Sequence, residues 1–259
     1  MGSISPCWSE LSDEIALWQD GGRVVDFWWR DDDACRADAA LDRLVALSAS
    51  ANVPLALAVI PADVQPAVLA PGSALVSLLQ HGVDHTSRAM AGEKKTEFPK
   101  HEAVPEALGR LRGALARIQG PCTLPVLVPP WNRLRSHELL AGLAGAGYRG
   151  LSRFGPRGDA SEVPGVVQVN THVDLIDWRG TRGFVGEVPA LRAAVDHLQA
   201  RRTGRADARE ATGWLSHHLV HDAACWAFLE QLFERTHAMP AVVWRGADTL
   251  FPVGPVDRA

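Results

Sequence analysis

The chain has few cysteines, and no two of them lie close together in sequence. The four thiols are at Cys7, Cys35, Cys122 and Cys225, without any C-x-x-C spacing. That spacing is typical of structural zinc sites, and clustered cysteines are typical of disulfide-stabilised folds, so the sequence argues against both. Free thiols suit a reducing compartment, and we therefore expect a cytoplasmic protein.

A secretion signal and long apolar runs are also missing. The first twenty residues contain four acidic side chains and neither the basic start nor the apolar segment of a signal peptide. No apolar run approaches the ~18 residues that a membrane-spanning helix needs. We expect no membrane association.

Positive charge is scarce and scattered. The 26 basic and 30 acidic residues give a net charge of −4, whereas a nucleic-acid-binding surface normally needs a concentrated basic patch. One arginine group stands out, at Arg201, Arg202, Arg205 and Arg209. We interpret it as a solvated face and expect the segment 201–210 to be exposed. Nucleic acid is therefore not an expected partner, and the oligomeric state is not predicted.

The chain does have the length and the apolar content of a barrel. Its 259 residues, 47% of them hydrophobic, are about right for a single α/β barrel domain. We expect one domain over 1–259 with its core at about 24–244. A helix at 9–18 and the Pro- and Gly-rich C-terminal tail are predicted to be peripheral.

Apolar strand-like runs alternate with amphipathic helices. The first strand, Val24–Trp29, is β-branched and aromatic, and the second, Val53–Pro61, is apolar almost throughout. Strands of this kind favour a parallel sheet covered by helices, that is, an α/β fold. Further strands are predicted at 123–128, 147–152, 166–173 and 241–244, and helices at 37–47, 71–80, 103–118, 139–146, 184–199 and 223–236.

Polar clusters follow these strands, at the edge where parallel α/β proteins assemble their active sites. The first strand runs into Asp31, Asp32 and Asp33, and His81 and His85 stand four apart where the third strand should end. Two imidazoles and a carboxylate can form a three-ligand metal site with an open position. Two alternatives remain: a chance histidine pair, and a carboxylate that caps the next helix.

The order of these clusters resembles the polysaccharide deacetylase family, the NodB-homology carbohydrate esterases, from about Val24 to about Trp244. The family's Thr-aromatic-Asp-Asp-Gly motif is matched by 30–34 and its His-x-x-x-His motif by His81 and His85. Its Arg- and Pro-rich third motif resembles 129–133, and its fourth resembles Asp174 with the pair at 177–178. The fifth, Leu-x-His, is similar to 215–217. The resemblance implies a distorted (β/α) barrel.

The resemblance also implies roles for individual residues. Asp33, His81 and His85 would be the metal ligands, and Asp32 the general base. His217 would be the general acid, with His218 and His221 as rivals, and Asp174 or Asp177 would orient it. The groove residues implied by the third and fourth motifs are Trp131, Asn132, Arg133, Asp177 and Trp178.

Departures from the family pattern leave some of these assignments open. Arg30 and Asp31 replace the hydroxyl and aromatic residues of the first motif, and Ala34 replaces its glycine. The extra carboxylate leaves open which two of the three aspartates are base and ligand. The third-motif arginine is not before its proline, and Arg133 is a possible substitute. Glu97 is interpreted as a solvated surface residue, with a side chain that faces the site as the alternative.

Three functions are compatible with these features. The first is a metal-dependent deacetylase acting on an N-acetylated carbohydrate; zinc fits its ligands best, with cobalt, nickel and manganese also accepted. The second is a metal-dependent hydrolase of small non-peptide C–N bonds, in cyclic imides, ureides or formamides. The third, motivated by the altered motifs, is a carbohydrate-binding relic without catalysis.

Overall fold

The computed structural model describes residues 6–134, 136–158 and 163–252. The strands are β1 Val25–Ala34, β2 Leu55–Val59, β3 Val76–His81, β4 Thr123–Val128, β5 Gly150–Leu151, β6 Val167–Gln168, β7 Val173–Asp174, β8 Thr212–Ser216 and β9 Val242–Trp244. The helices are α1 Pro6–Asp20, α2 Ala39–Ala51, α3 Val104–Arg117, α4 His137–Gly142, α5 Glu187–Arg202, α6 Ala223–His237 and α7 Ala247–Leu250. None of the described helices is long and apolar enough to cross a membrane.

The strands form one parallel sheet in the order β6-β5-β4-β3-β2-β1-β8-β7, and β9 pairs with the N-terminal part of β1. The sheet curls into a distorted (β/α) barrel, so the predicted fold class is confirmed. Register aligns Asp31 of β1 with Leu57 of β2 and with Ser216 of β8. The polar residues at and just beyond the C-terminal ends of β1, β3 and β8 therefore reach the same rim.

Side chains of β1 alternate between the two faces of the sheet, as in any strand. Phe27 and Trp29 belong to the core between the sheet and the outer helices, whereas Trp28 belongs to the core inside the barrel. The same alternation sends Arg30 and Asp32 inward and Asp31 outward. The alternation of β1 alone therefore places the carboxylates of Asp31 and Asp32 on opposite faces of the sheet.

The chain itself closes the barrel between its two edge strands. The segment 169–172, which joins β6 to β7, makes backbone hydrogen bonds to Leu151 and Arg153 on one side and to Gly213 on the other. The buried carboxylate of Glu210 accepts the backbone N–H of Asn170 at 3.0 Å, and that of Arg157 at 2.9 Å. These bonds fix the crossing where β6 and β7 do not pair.

Replacing Glu210 with Ala is expected to lower the free energy of unfolding by roughly 2–3 kcal/mol, because two backbone donors lose their acceptor inside the protein. Urea denaturation of the variant measures this loss. Glu230→Ala is the matched control: its exposed ion pair with Arg43 should contribute less than ~1 kcal/mol. Equal effects from the two variants would contradict a closing role for Glu210.

Two predicted elements differ from the structure. The segment 71–80 was expected to supply a helix, but its second half belongs to strand β3, and the crossover before it has only a 3₁₀ turn at Pro66–Leu69. Pro71 and Gly72 disfavour a helix here, because proline and glycine have the lowest helix propensities. The strand expected at 166–173 is two short strands separated by the crossing segment.

The segment 201–210 is not uniformly exposed, which is a third correction. Arg201 and Glu210 are buried. The Arg201 guanidinium lies over the Trp18 ring and donates to the Thr212 hydroxyl. A charged stretch conceals such partners because they come from other elements of the fold.

Candidate active site

The three consecutive aspartates at the end of β1 go to three different places. Asp31 and Asp32 continue the alternation of the strand, but at Asp33 the backbone turns into the left-handed region with φ 71°. The pairing register with β2 shifts between Asp31 and Ala34. This irregularity rotates the Asp33 carboxylate to the rim. None of the three caps the next helix, because Asp38 does so.

Asp33, His81 and His85 converge at the rim. Oδ1 of Asp33 lies 3.1 Å from Nε2 of His81 and 3.3 Å from Nε2 of His85. Burial would raise the pKa of Asp33, but the neighbouring imidazoles of His81, His217 and His85 hold it well below its usual value. The carboxylate is therefore ionised, as a metal ligand must be.

This trio fits a divalent metal on three grounds. Nδ1 of His81 lies 3.0 Å from the carbonyl oxygen of Val128, so in the neutral ring, the form that binds a metal, the proton belongs on Nδ1 and the Nε2 lone pair faces Asp33. Oδ1 of Asp33 is buried, and it has no hydrogen-bond partner among the described residues. Donor atoms about 2.1 Å from one tetrahedral ion lie roughly 3.4 Å apart, close to the observed separations.

The turn between the two histidines depends on Gly82 and Glu97. Gly82 has φ 61°, and a Cβ there would clash with Oε2 of Glu97 and with the ring of Pro130. Glu97 is fully buried and accepts the backbone N–H groups of Val83 and Asp84. The interpretation of Glu97 as a solvated residue is therefore wrong: it anchors its loop to the turn that carries His85.

Asp32 is held inside the barrel by Arg30. Nε and Nη2 of Arg30 donate to the two carboxylate oxygens at 2.8 and 3.0 Å. The remaining guanidinium N–H groups donate to Asn132 Oδ1, Ser152 Oγ and the carbonyl of Arg153. All five donors are thus satisfied, and both side chains are almost fully buried. Asp32 is oriented by an arginine from its own strand.

Asp31 faces the outer core and pairs with His218, whose side chain is also fully buried. His217 is placed differently: its ring meets that of Trp178 edge-on at 4.7 Å. His221 lies against Trp226, and burial lowers its pKa to about 4. Among the three rival histidines, His217 is therefore the one whose surroundings connect it to the site.

Asp174 lies near His217, and its hydrogen bond goes to Trp178, the residue that His217 contacts. Its carboxylate accepts the indole N–H of Trp178 at 3.0 Å and the backbone N–H of Ile176 at 3.0 Å. Burial raises the pKa of Asp174, while nearby His217 counteracts part of that rise. Nδ1 of His217 is buried, and no described residue forms a hydrogen bond with it. The direct orienting bond implied by the resemblance is absent from the described residues.

Asp177 belongs to a turn. Its carboxylate accepts the backbone N–H groups of residues 179–181. This is the ordinary use of Asp in a turn, and it supports neither a contact with substrate nor the orientation of His217. Its neighbour Trp178 is 42% exposed and can face a ligand.

The predicted groove residues Trp131, Asn132 and Arg133 make contacts with different parts of the site and its surroundings. The Trp131 ring lies 4.5 Å from that of His85 and is half-buried. Asn132 supports Arg30, so it belongs to the polar network behind Asp32. Arg133 donates to the carbonyl of Lys95 at 2.9 Å. Among the contacts of the described residues it makes none with Asp32, whose guanidinium partner is Arg30.

A second cluster of metal-binding residue types, His172, His197 and Glu210, fits a metal poorly. Nδ1 of His172 accepts the backbone N–H of Gly213, so its neutral ring carries the proton on Nε2, the atom that faces Glu210 at 3.4 Å. The two imidazoles stack with centroids 3.4 Å apart, and their in-plane lone pairs run side by side. The cluster is better explained as part of the barrel closure.

Comparisons with known proteins give the fold. No family model and no curated protein matches the sequence. Among solved structures, a T48 deacetylase with substrate has a TM-score of 0.52 at 15% identity, over 96% of this chain and 94% of that one. For peptidoglycan deacetylase PdaC from Bacillus subtilis the TM-score is 0.53 at 12% sequence identity, and the match covers 88% of this chain and 90% of that one. For a family 4 acetyl xylan esterase from Clostridium thermocellum in complex with cobalt the TM-score is 0.50 at 15% sequence identity, and the match covers 87% of this chain and 90% of that one.

Proposed function

Because the described chain has the fold of the polysaccharide deacetylases and family 4 carbohydrate esterases, we propose that it is a metal-dependent hydrolase that removes acetyl groups from an N-acetylated carbohydrate. One observation carries the proposal: Asp33, His81 and His85 converge at the rim, and both Asp32 and His217 lie near enough to His85 to interact with it electrostatically. Such a constellation combines a metal site with a base and an acid.

Asp33, His81 and His85 would hold the metal. A divalent ion there would supply Lewis acidity, polarising the amide carbonyl and lowering the pKa of water at the open position. Two imidazoles and one carboxylate suit zinc best, and cobalt, nickel and manganese accept the same donors. The acetyl xylan esterase with this fold was solved with cobalt.

Asp32 would act as the general base. It would take the proton from the attacking water, and the bidentate bonds from Arg30 would keep its carboxylate in one orientation. A carboxylate is a weak base, so this step depends on a water that the site has already made more acidic.

His217 would act as the general acid, giving a proton to the departing amine nitrogen. An imidazole suits this step because it exchanges protons near neutral pH. Trp178 confines the ring on one side, and Asp174 fixes Trp178 through its indole N–H. Sugar rings stack on indole faces, which gives Trp131 and Trp178 a place in substrate binding.

Acetate release from N-acetylated oligosaccharides by the zinc- or cobalt-loaded protein tests the proposal. We expect turnover by the wild-type protein and a kcat roughly 10²–10⁴-fold lower for His217→Ala, the range for loss of a general acid or base. His237→Ala is the matched control, since this exposed histidine at the end of α6 contacts only its own helix among the bonds observed.

The same assay separates the other candidate functions. Turnover of cyclic imides, ureides or formamides, with no acetate released from any sugar, would replace the substrate class and keep the metal chemistry. Sugar binding at full metal occupancy without turnover of any amide would favour a carbohydrate-binding relic. A wild-type protein that binds no divalent metal would refute the proposal.

A further inference from the structure

The first of the three aspartates lies in the wrong layer to reach a substrate. Asp31 projects from β1 toward the outer helices, beside Trp29, which packs on Phe233 of α6. Its side chain is fully buried. A carboxylate inside an apolar layer is costly unless several donors compensate it. Its partners therefore indicate what it does.

All the donors that Asp31 engages come from the segment that carries His217. Its Oδ2 accepts the Ser216 hydroxyl at 2.6 Å and the backbone N–H of His218 at 2.9 Å. Its Oδ1 lies 2.5 Å from Nδ1 of His218. Ser216 is fixed from a second side, because it accepts the indole N–H of Trp29 at 2.8 Å. The residues on both sides of His217 are thus fastened to β1.

This fastening sets the direction of His217. The backbone at His217 is extended, with φ −142° and ψ 91°, and neighbouring side chains on extended backbone point to opposite sides. With His218 drawn into the outer core, the His217 ring is sent toward Trp178 and the rim. Within the described part of the chain Nδ1 of His217 has no hydrogen-bond partner, so the backbone, more than a bond to the ring, sets the position of the ring.

We infer that Asp31 is a positioning residue, which aims His217 at the leaving-group side of the site through its bonds to Ser216 and His218. The inference rests on the proposed function, in which His217 protonates the departing amine. It gives the extra carboxylate of β1 a role distinct from that of the metal ligand and the base.

The test compares two acetylated substrates with different leaving groups. Release of an amine from an N-acetylated oligosaccharide needs a positioned acid, whereas 4-nitrophenyl acetate releases a phenolate that leaves without protonation. For Asp31→Ala we expect kcat on the sugar to fall roughly 100-fold, as for a misplaced catalytic group. KM, metal content and the ester rate should stay within about threefold.

Two further variants keep the result interpretable. Asp31→Asn retains one carbonyl oxygen, which can accept from both the Ser216 hydroxyl and the His218 backbone N–H, as Oδ2 of Asp31 does. Its kcat on the sugar should therefore be at least about tenfold higher than that of Asp31→Ala, and Ser216→Ala, the milder change, should lose roughly 3–10-fold relative to wild type. Glu14→Gln is the control for a buried ion pair, since Glu14 pairs with Arg202 between α1 and α5. It should lower stability without changing kcat.

Several results would overturn the inference. If Asp31→Ala keeps the wild-type kcat on the sugar, or loses both substrates and the metal together, Asp31 does not act through His217. If Asp31→Ala does not fold, wild-type kcat values for Asp31→Asn and Ser216→Ala would lead to the same conclusion. A wild-type protein that turns over the ester and not the sugar overturns the proposed function, and this inference with it.

Discussion

Replacing Asp33 with Ala is expected to abolish binding of the divalent metal and to lower kcat by at least ~10³-fold, the scale on which active-site charge stabilisation is lost. Oδ1 of Asp33 is the atom shared by the two histidine contacts, at 3.1 and 3.3 Å. Without it, two neutral imidazoles remain, and the site has no anionic donor. Metal content by elemental analysis and acetate release on the same samples measure both losses.

Asp63→Ala is the matched control for this prediction. Asp63 is an exposed carboxylate in the loop after β2, and its removal should leave both the metal content and kcat unchanged. The Asp33 variant should remain folded, because its side chain is partly exposed and its close contacts are those with the two histidines of the site. One metal ion per chain in Asp33→Ala would contradict the assigned ligand set.

Replacing Arg30 with Met is expected to cost about 3–5 kcal/mol of stability, because it leaves the Asp32 carboxylate buried without its counter-ion. It should also lower kcat by roughly 10²–10⁴-fold, since the base loses the contacts that orient it. Lys at this position should restore little, because it cannot make the bidentate fork. Urea unfolding and kcat of the metal-loaded protein measure the two effects.

A double variant separates stability from catalysis at this pair. Arg30→Met with Asp32→Leu removes both charges, and should recover part of the stability while remaining inactive. Arg133→Met is the control arginine, since its guanidinium is bonded to the Lys95 carbonyl in an exposed contact; its cost should stay below ~1 kcal/mol. A stable, active Arg30→Met protein would show that Asp32 does not depend on this pair.

The sequence predicted the residues that meet at the rim, because each follows an apolar strand and parallel strands bring such residues together. Asp33, His81 and His85 are the case in point. It could not assign Asp31, Asp32 and Asp33 individually, since the answer depends on a register shift and a left-handed residue at Asp33. A run of three identical residues indicates neither the register shift nor the residue that adopts the left-handed conformation.

The buried charged residues were the main source of error. Glu97 and Arg201 look like surface residues in sequence, and their partners come from other segments, at Val83 for Glu97 and at Trp18 and Thr212 for Arg201. The helix predicted at 71–80 failed for a different reason. The apolar residues of Val76–His81 fit a fully buried strand as well as a short helix, and periodicity cannot distinguish the two.

The geometry of β1 also bears on how its end can evolve. Arg30 and Asp32 share one face, Asp31 takes the other, and Asp33 follows at the turn. A substitution alters one of these duties at a time. An insertion or deletion of one residue within β1 would move each of these side chains to the opposite face of the sheet. The Arg30 guanidinium would then lie in the apolar layer and Asp31 inside the barrel. Homologues of this chain should therefore vary in composition at these positions while keeping their spacing free of gaps.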